Sequence, residues 1–270
     1  MRSYRFGNTS LAFESSDQTW LSYLSERYSS FQDPFPCQVD PPVNDFVVHF
    51  ESTAAHRPEG LTSPLSTYVE APVIETHEHG FTARTATTFA DVNLDRRRAH
   101  LSGPRALYPV DNLFRHLLPA LGEQGALVHG ATLAKDGQGV LACGPSGAGK
   151  STLAALAGEN ALCDELSAIF GSEDGYRLTS LPFWQARPGS VDLRAVLLLR
   201  HGREHHLEPV SKAAALRQVS SQVLWPVEIP CAMDRALGHV SAVLDKVPVF
   251  ELAFRPDGSV WGFIEEQVLS

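Results

Sequence analysis

One stretch limits what this chain can fold into more than any other: Gly144-Pro145-Ser146-Gly147-Ala148-Gly149-Lys150-Ser151. Its spacing, G-x-x-x-x-G-K-S, is that of a phosphate-cradling loop. Gly147 and Gly149 can take positive φ, so the backbone can curl with its N–H groups turned inward. Those donors, with the positive end of a following helix, make an anion site. Such a loop needs a strand to fix where it starts and a helix to supply its amides. Both are legible: 140–143 (Val-Leu-Ala-Cys) reads as a buried strand, and 152–157 reads as a helix. The candidate nucleotide-binding residues are therefore Gly144, Pro145, Ser146, Gly147, Ala148, Gly149, Lys150, Ser151 and Thr152. Lys150 offers a mobile point charge to phosphate oxygens, and Ser151 offers a hydroxyl to Mg²⁺.

The neighbours of the loop narrow the architecture. Residues 126–134 read as a strand, followed by Lys135-Asp136-Gly137-Gln138-Gly139 and the strand that enters the loop. An Asp-Gly step between two strand-like runs signals a hairpin. A doubly wound nucleotide domain begins instead with the loop's own strand, so a different sheet is expected here. On the far side, a short apolar strand at 161–163 delivers Asp164-Glu165, fourteen residues after Lys150. A carboxylate there can hold Mg²⁺ or act on a nucleophile. His129 stands fifteen residues before Gly144, on the first hairpin strand. An imidazole at that position could contact a transferring phosphoryl group. The catalytic candidates are Asp164, His129 and Lys150, and the metal candidates are Ser151, Asp164 and Glu165. Arg187 is a further phosphate-binding candidate, because a guanidinium can stabilise the charge of phosphoryl transfer. The base-reading N-K-x-D and the D-x-x-G of small GTPases are absent after the loop, as is L-S-G-G-Q.

Elsewhere the pattern predicts two short strands across 4–14, turning at Gly7-Asn8, and a helix capped by Asp17 with Trp20, Leu21, Leu24 and Tyr28 on one face. Residues 31–42 read as a proline-rich connector, 45–51 as a strand, and 52–67 as a loop. Threonine-rich 81–89 suggests one strand and 91–101 another. A helix is expected over 109–121, ended by Gly122 and Gly125. After the acidic pair come a strand at 166–170, its partner at 176–181, a loop at 182–190, and a buried strand at 193–199. Helices at 211–221 and 231–244 follow, then a closing hairpin of 249–254 with 260–265 around Asp257-Gly258. His77-Glu78-His79 puts two histidines on one face of a strand, with no third metal ligand in view. His201, His205 and His206 read as polar loop residues.

The run Val-His-Gly-Ala at 128–131, the hairpin turn, G-P-S-G-A-G-K-S-T and then Cys163-Asp164-Glu165 resembles the HPr kinase/phosphorylase catalytic domain. That family's fold is akin to phosphoenolpyruvate carboxykinase. The resemblance is most specific over 126–170 and weaker beyond. It implies that the loop amides and Lys150 bind ATP, that Ser151 helps hold Mg²⁺, and that Asp164 is the general base for an acceptor hydroxyl. Glu165 stands where the family has a second Asp and would be a metal ligand, and His129 matches the family's active-site histidine. The segment from loop to acids is shorter than in the family, and the glycine-rich signature of true HPr kinases is missing. The implied fold is a mixed α/β (α+β) P-loop domain over 106–270, preceded by a smaller strand-rich region, 1–105, that is a candidate acceptor-binding region.

Composition supplies the remaining bounds. A net charge of −9 over 270 residues argues against a general nucleic-acid or anionic-membrane binder. Arg96-Arg97-Arg98 is too short a basic run to change that and reads as a solvated edge or turn. Cysteines 37, 143, 163 and 231 form no close pair, which fits a reducing compartment. The most apolar run, 195–199, is too short to span a bilayer, and the first residues contain no apolar segment of signal-peptide type. A cytoplasmic enzyme is expected, acting with ATP and Mg²⁺. The expected reaction is phosphotransfer to a hydroxyl, foremost a serine of a peptide or protein such as a ribosomal-peptide precursor. A small-molecule hydroxyl acceptor and a nucleotide-binding regulator without transfer are the alternatives, and a homo-oligomer is left open.

Overall fold

The computed structural model describes residues 1–6, 9–31, 46–53, 72–105, 108–121, 125–181, 186–226 and 229–270. The expected turn at Gly7-Asn8, most of the 31–42 connector and the 52–67 loop, and Gly122 lie outside them. The chain is mixed α/β, with two mixed sheets and six α-helices among the described residues. It divides into two units, Met1–Gly122 with Pro226–Met233, and Glu123–Trp225 with Asp234–Ser270.

The first unit holds a seven-stranded sheet in the order β1-β2-β3-β7-β6-β5-β4. Its strands are β1 (Arg2–Phe6), β2 (Thr9–Glu14), β3 (Phe46–Ser52), β4 (Val73–His77), β5 (Gly80–Arg84), β6 (Phe89–Asn93) and β7 (Arg98–Gly103). Helix α1 (Gln18–Arg27) starts at Asp17, whose carboxylate accepts the Trp20 N–H at 3.1 Å. Burial pushes the Asp17 carboxyl up, but hydrogen bonds from Arg105, Trp20 and Thr19 together hold it below its ordinary value. Trp20 stacks on Phe50 of β3 with ring centres 3.9 Å apart, fixing the helix to the sheet. Helix α2 (Tyr108–Leu121) belongs to this unit, although the sequence division at 105/106 assigned it to the second. Phe114 packs on Phe13 and Tyr28, and the Tyr28 hydroxyl donates to Asp111 at 3.2 Å, so the helix's apolar face is used here.

Two strand expectations in this unit change. Residues 81–89 are not one strand, because the Thr85 hydroxyl accepts the N–H groups of Thr87 and Thr88 and turns the chain between β5 and β6. Threonine favours strands by shape, but its hydroxyl also competes for local backbone donors. Residues 91–101 are likewise split, by a turn in which Asn93 accepts the Arg96 N–H and Arg97 takes φ 51°. Arg96 and Arg97 lie in that turn, and Arg98 opens β7. His77 ends β4 while Glu78-His79 is itself a turn, so the two histidines meet different carboxylates, Asp91 and Asp95.

The second unit is built on β8 (Gly125–Lys135) and β9 (Gln138–Cys143), the expected hairpin, whose turn Asp136-Gly137 has both residues at positive φ. Gly125 thus opens a strand rather than closing α2. After the loop come α3 (Lys150–Ala157), β10 (Ala161–Cys163), β11 (Leu166–Ser172), β12 (Gly175–Ser180) and β13 (Ser190–His201). Then follow β14 (His206–Pro209), α4 (Lys212–Ser220), α5 (Pro230–Lys246), β15 (Val249–Phe254) and α6 (Ser259–Ile264), with a wider helical turn Glu265–Leu269. β8 pairs with β9 on one edge and with β10 and β11 on the other, and β11–β12, β12–β13 and β13–β9 pairings follow. The pairings therefore close on themselves, β8-β9-β13-β12-β11, and β15 and β14 extend the sheet from β13. One face carries Leu141, Cys143, Val196 and Leu198 against α4 and α5. The other carries Ala131, Leu133, Val140, Ala142, Leu197 and Leu199 against α3 and α6.

Two expectations fail near the C-terminus. Residues 260–265 are helical, not the second strand of a hairpin. Asp257 accepts both the Ser259 N–H and the Ser259 hydroxyl in the turn before the helix, and Val260, Trp261 and Ile264 bury a helical stripe. The three histidines at 201–206 are not all in a loop, since His201 closes β13 and His206 opens β14.

Candidate active site

Strand register brings the three sequence signals together. Gly130 pairs with Cys143, the last residue before the loop, while His129 pairs with Leu166 on the opposite edge of β8. The Gly130 N–H donates to the Glu165 carbonyl at 3.0 Å. His129-Gly130 therefore lies between the start of the loop and the acidic bend Asp164-Glu165. Asp164 and Glu165 form the bend between Cys163, opposite Thr132, and Leu166, opposite His129. Both acids, expected as a pair of metal ligands, are half-buried there.

The acidic bend is held from behind by a buried polar cluster that the sequence did not reveal. Thr132 Oγ1 and Ser167 Oγ are 2.7 Å apart, Ser167 donates to the Gly130 carbonyl at 3.1 Å, and Cys163 Sγ lies 3.1 Å from Ser167. Burial raises the Cys163 thiol, and hydrogen bonds with Ser167 and Thr132 only partly offset it. Arg187 also works behind the bend. Its guanidinium donates to the carbonyls of Glu159 and Ala161, and its N–H to Leu162, tying down the start of β10.

In the loop, Gly147 and Gly149 have φ of 80° and 105°, the left-handed region that glycine takes at no steric cost. The Ala148 N–H closes a tight turn onto the Pro145 carbonyl at 3.1 Å. Gly149 is the N-cap of α3, so the first amides of that helix face the loop. Lys150 is buried, and its Nζ donates to the carbonyls of Gly144 at 2.7 Å and Pro145 at 3.2 Å. Burial lowers its pKa. Beneath it the buried Cys143 thiol is pushed up to about 12 by desolvation, with Lys150 acting the other way. Pro145, Ser146, Ser151 and Thr152 are exposed. A bound triphosphate fits this cradle of inward amides and one cation. Mg²⁺ takes one or two protein oxygens and completes its shell with phosphates and water. The hard oxygen donors Ser151 and Asp164 suit it, and among the described residues no cluster of three His, Cys, Asp or Glu would cage a metal unaided.

Two contacts to the loop were invisible in the sequence. The His201 Nε2–H donates to the Gly147 carbonyl at 2.9 Å. The Phe254 ring sits where a Cβ on Gly149 would come within 2.7 Å of it. Away from the loop, a cavity of about 920 Å³ opens between the β11–β12 turn and α5, with Asp174, Tyr176, Arg194, His239 and Lys246 in its wall. It lies at the other ends of β11 and β13 and takes no part in the arrangement above. Among the described residues no helix is long and apolar enough to cross a membrane.

No curated protein matches the chain. Residues 110–270, more than half of it, match the family model described as SynChlorMet cassette protein ScmC, and the chain belongs to that family.

Proposed function

We propose that the protein is an ATP-dependent kinase of the HPr-kinase-like kind, transferring the γ-phosphoryl group to a hydroxyl of a peptide or protein, foremost a serine. The observation that carries this reading is the register of β8. In it Gly130 pairs with Cys143 at the foot of the loop and donates its N–H to the Glu165 carbonyl, next to Asp164, which supports reading loop and acid as parts of one site. The family's name describes a cassette protein, which fits an enzyme that acts on the product of a neighbouring gene.

In this reading the bond between the γ-phosphorus and its bridging oxygen breaks, and a bond from the acceptor oxygen forms in line. Asp164 takes the hydroxyl proton, and ADP leaves. Lys150 turns its Nζ from the loop carbonyls to phosphate oxygens, and the loop amides take the rest of the charge. His129, opposite Leu166 next to the acidic bend, contacts the group in transfer. Ser151 and Asp164 would hold Mg²⁺, which when bound would neutralise phosphate charge. Binding and orientation account for most of the rate.

The test uses γ-labelled ATP and extract from cells that encode the protein. Label should appear on a peptide or protein, and Asp164→Asn should lower transfer at least about a hundredfold. Full transfer by Asp164→Asn removes the base assignment. Tight ATP binding with label on no acceptor favours a nucleotide-binding regulator instead, and label on a metabolite favours a small-molecule kinase.

A further inference from the structure

We propose that His201 and Phe254 are positioning residues for the phosphate loop. Each fixes one of its two left-handed glycines, and the affinity for a nucleoside triphosphate depends on them. The affinity claim rests on the nucleotide reading of the site, whereas the support given to the loop does not.

The pair arises from how β13 and β15 run past the loop. β13 is the parallel neighbour of β9, with Leu198 opposite Cys143, and it continues for three more residues. At about 3.3 Å per residue this carries its end roughly 10 Å beyond the strand that enters the loop. His201 stands at that end, and its register partner on β15 is Phe254. Two side chains on adjacent strands, in register, thus address Gly147 and Gly149.

Their actions differ. A carbonyl oxygen only accepts, so the contact at 2.9 Å requires a proton on His201 Nε2. The peptide unit bearing that carbonyl also bears the Ala148 N–H, which donates to Pro145. Both ends of the 147–148 peptide are therefore held, and it cannot flip without losing both bonds. Phe254 acts by contact alone. Its ring occupies the space beside the Gly149 Cα, and Gly149 in turn accepts the Leu153 N–H at 2.8 Å as α3 begins. The ring thereby sets the direction in which the first helical amides point. Two glycines flanking one alanine would otherwise be the freest part of the loop, and ordering them on binding would weaken affinity.

A loop organised in advance binds the triphosphate in the ground and transition states alike, so losing the support raises KM and leaves kcat nearly unchanged. His201→Ala tests this, with His201→Gln as the variant that keeps an N–H donor. Exchange of the Ala148 amide, read by NMR without nucleotide, should quicken about fivefold in His201→Ala, and Kd and KM for ATP should rise by about the same factor. His201→Gln should recover most of both. Phe254→Leu, which keeps the core filled but withdraws the ring edge, should weaken ATP binding with amide exchange in β13 unchanged. Unaltered Ala148 exchange in His201→Ala overturns the support role. Quickened exchange with unaltered ATP affinity overturns the dependence of binding on it. A wild-type protein that binds no ATP, together with quickened exchange in the variant, sinks the nucleotide reading and the affinity claim but leaves the support role standing.

Discussion

Cys143 sits at the foot of the loop, fully buried on the α4/α5 face, with its thiol pushed up to about 12. An unfolded cysteine ionises near 8.5. Between those values the unfolded chain has lost a proton that the folded chain keeps, so stability falls as pH rises through the window. Urea unfolding from pH 8 to 10 should show that decline, and Cys143→Ala should make it shallower. An identical slope in the variant would mean that Cys143 ionises alike in both states. Nothing in the sequence beyond an apolar run announced this. The same holds for Gly149: its need for positive φ was readable from the motif, but the ring that also requires a glycine belongs to Phe254, more than a hundred residues away.

Helix α6 shows what a short element owes to the turn before it. Asp257 is held well below the usual carboxylate range, first by the Ser259 hydroxyl, then by Arg255 and the Ser259 N–H. A depressed folded pKa gives stability above the unfolded value near 3.9 that is lost as pH falls through the folded one. Melting temperatures should therefore drop from pH 4 to pH 2, and Asp257→Asn should flatten that drop while lowering stability at pH 7. An unchanged acid limb would show that the Asp257 carboxylate contributes nothing. The Asp-Gly step was read as a hairpin turn because the same dipeptide serves both ends of a strand pair and the start of a helix. What decided between them was the burial of Val260, Trp261 and Ile264, a spacing too short to weigh against flanking strand signals. For β8 and β9, by contrast, the Asp-Gly step stood between two long alternating runs, and hairpin and register followed together.

At the scale of the molecule, the distinctive feature is that five strands of the second unit close a ring through β12. Leu178, fully buried on β12, faces the core shared by β8, β9 and β13. Leu178→Ala should cost about 3 kcal/mol in urea unfolding, because both arms of the ring lose packing at once. A cost below about 1 kcal/mol would mean that β12 is an independent hairpin arm. Closure of this kind joins residues far apart in the chain, and no local pattern encodes it.

Local chemistry in the sequence determined the loop, the hairpin that feeds it and the helix after it. Each depends on interactions within a few residues, where glycine geometry, turn chemistry and side-chain periodicity dominate. Only the tertiary structure decided what surrounds them. It spent Arg187 on carbonyls behind the acidic bend, moved α2 into the first unit, and brought His201 and Phe254 to the loop. Those outcomes follow from strand register and sheet closure. One residue of register reverses every side chain, and the pairing that sets it is made with strands distant in the chain.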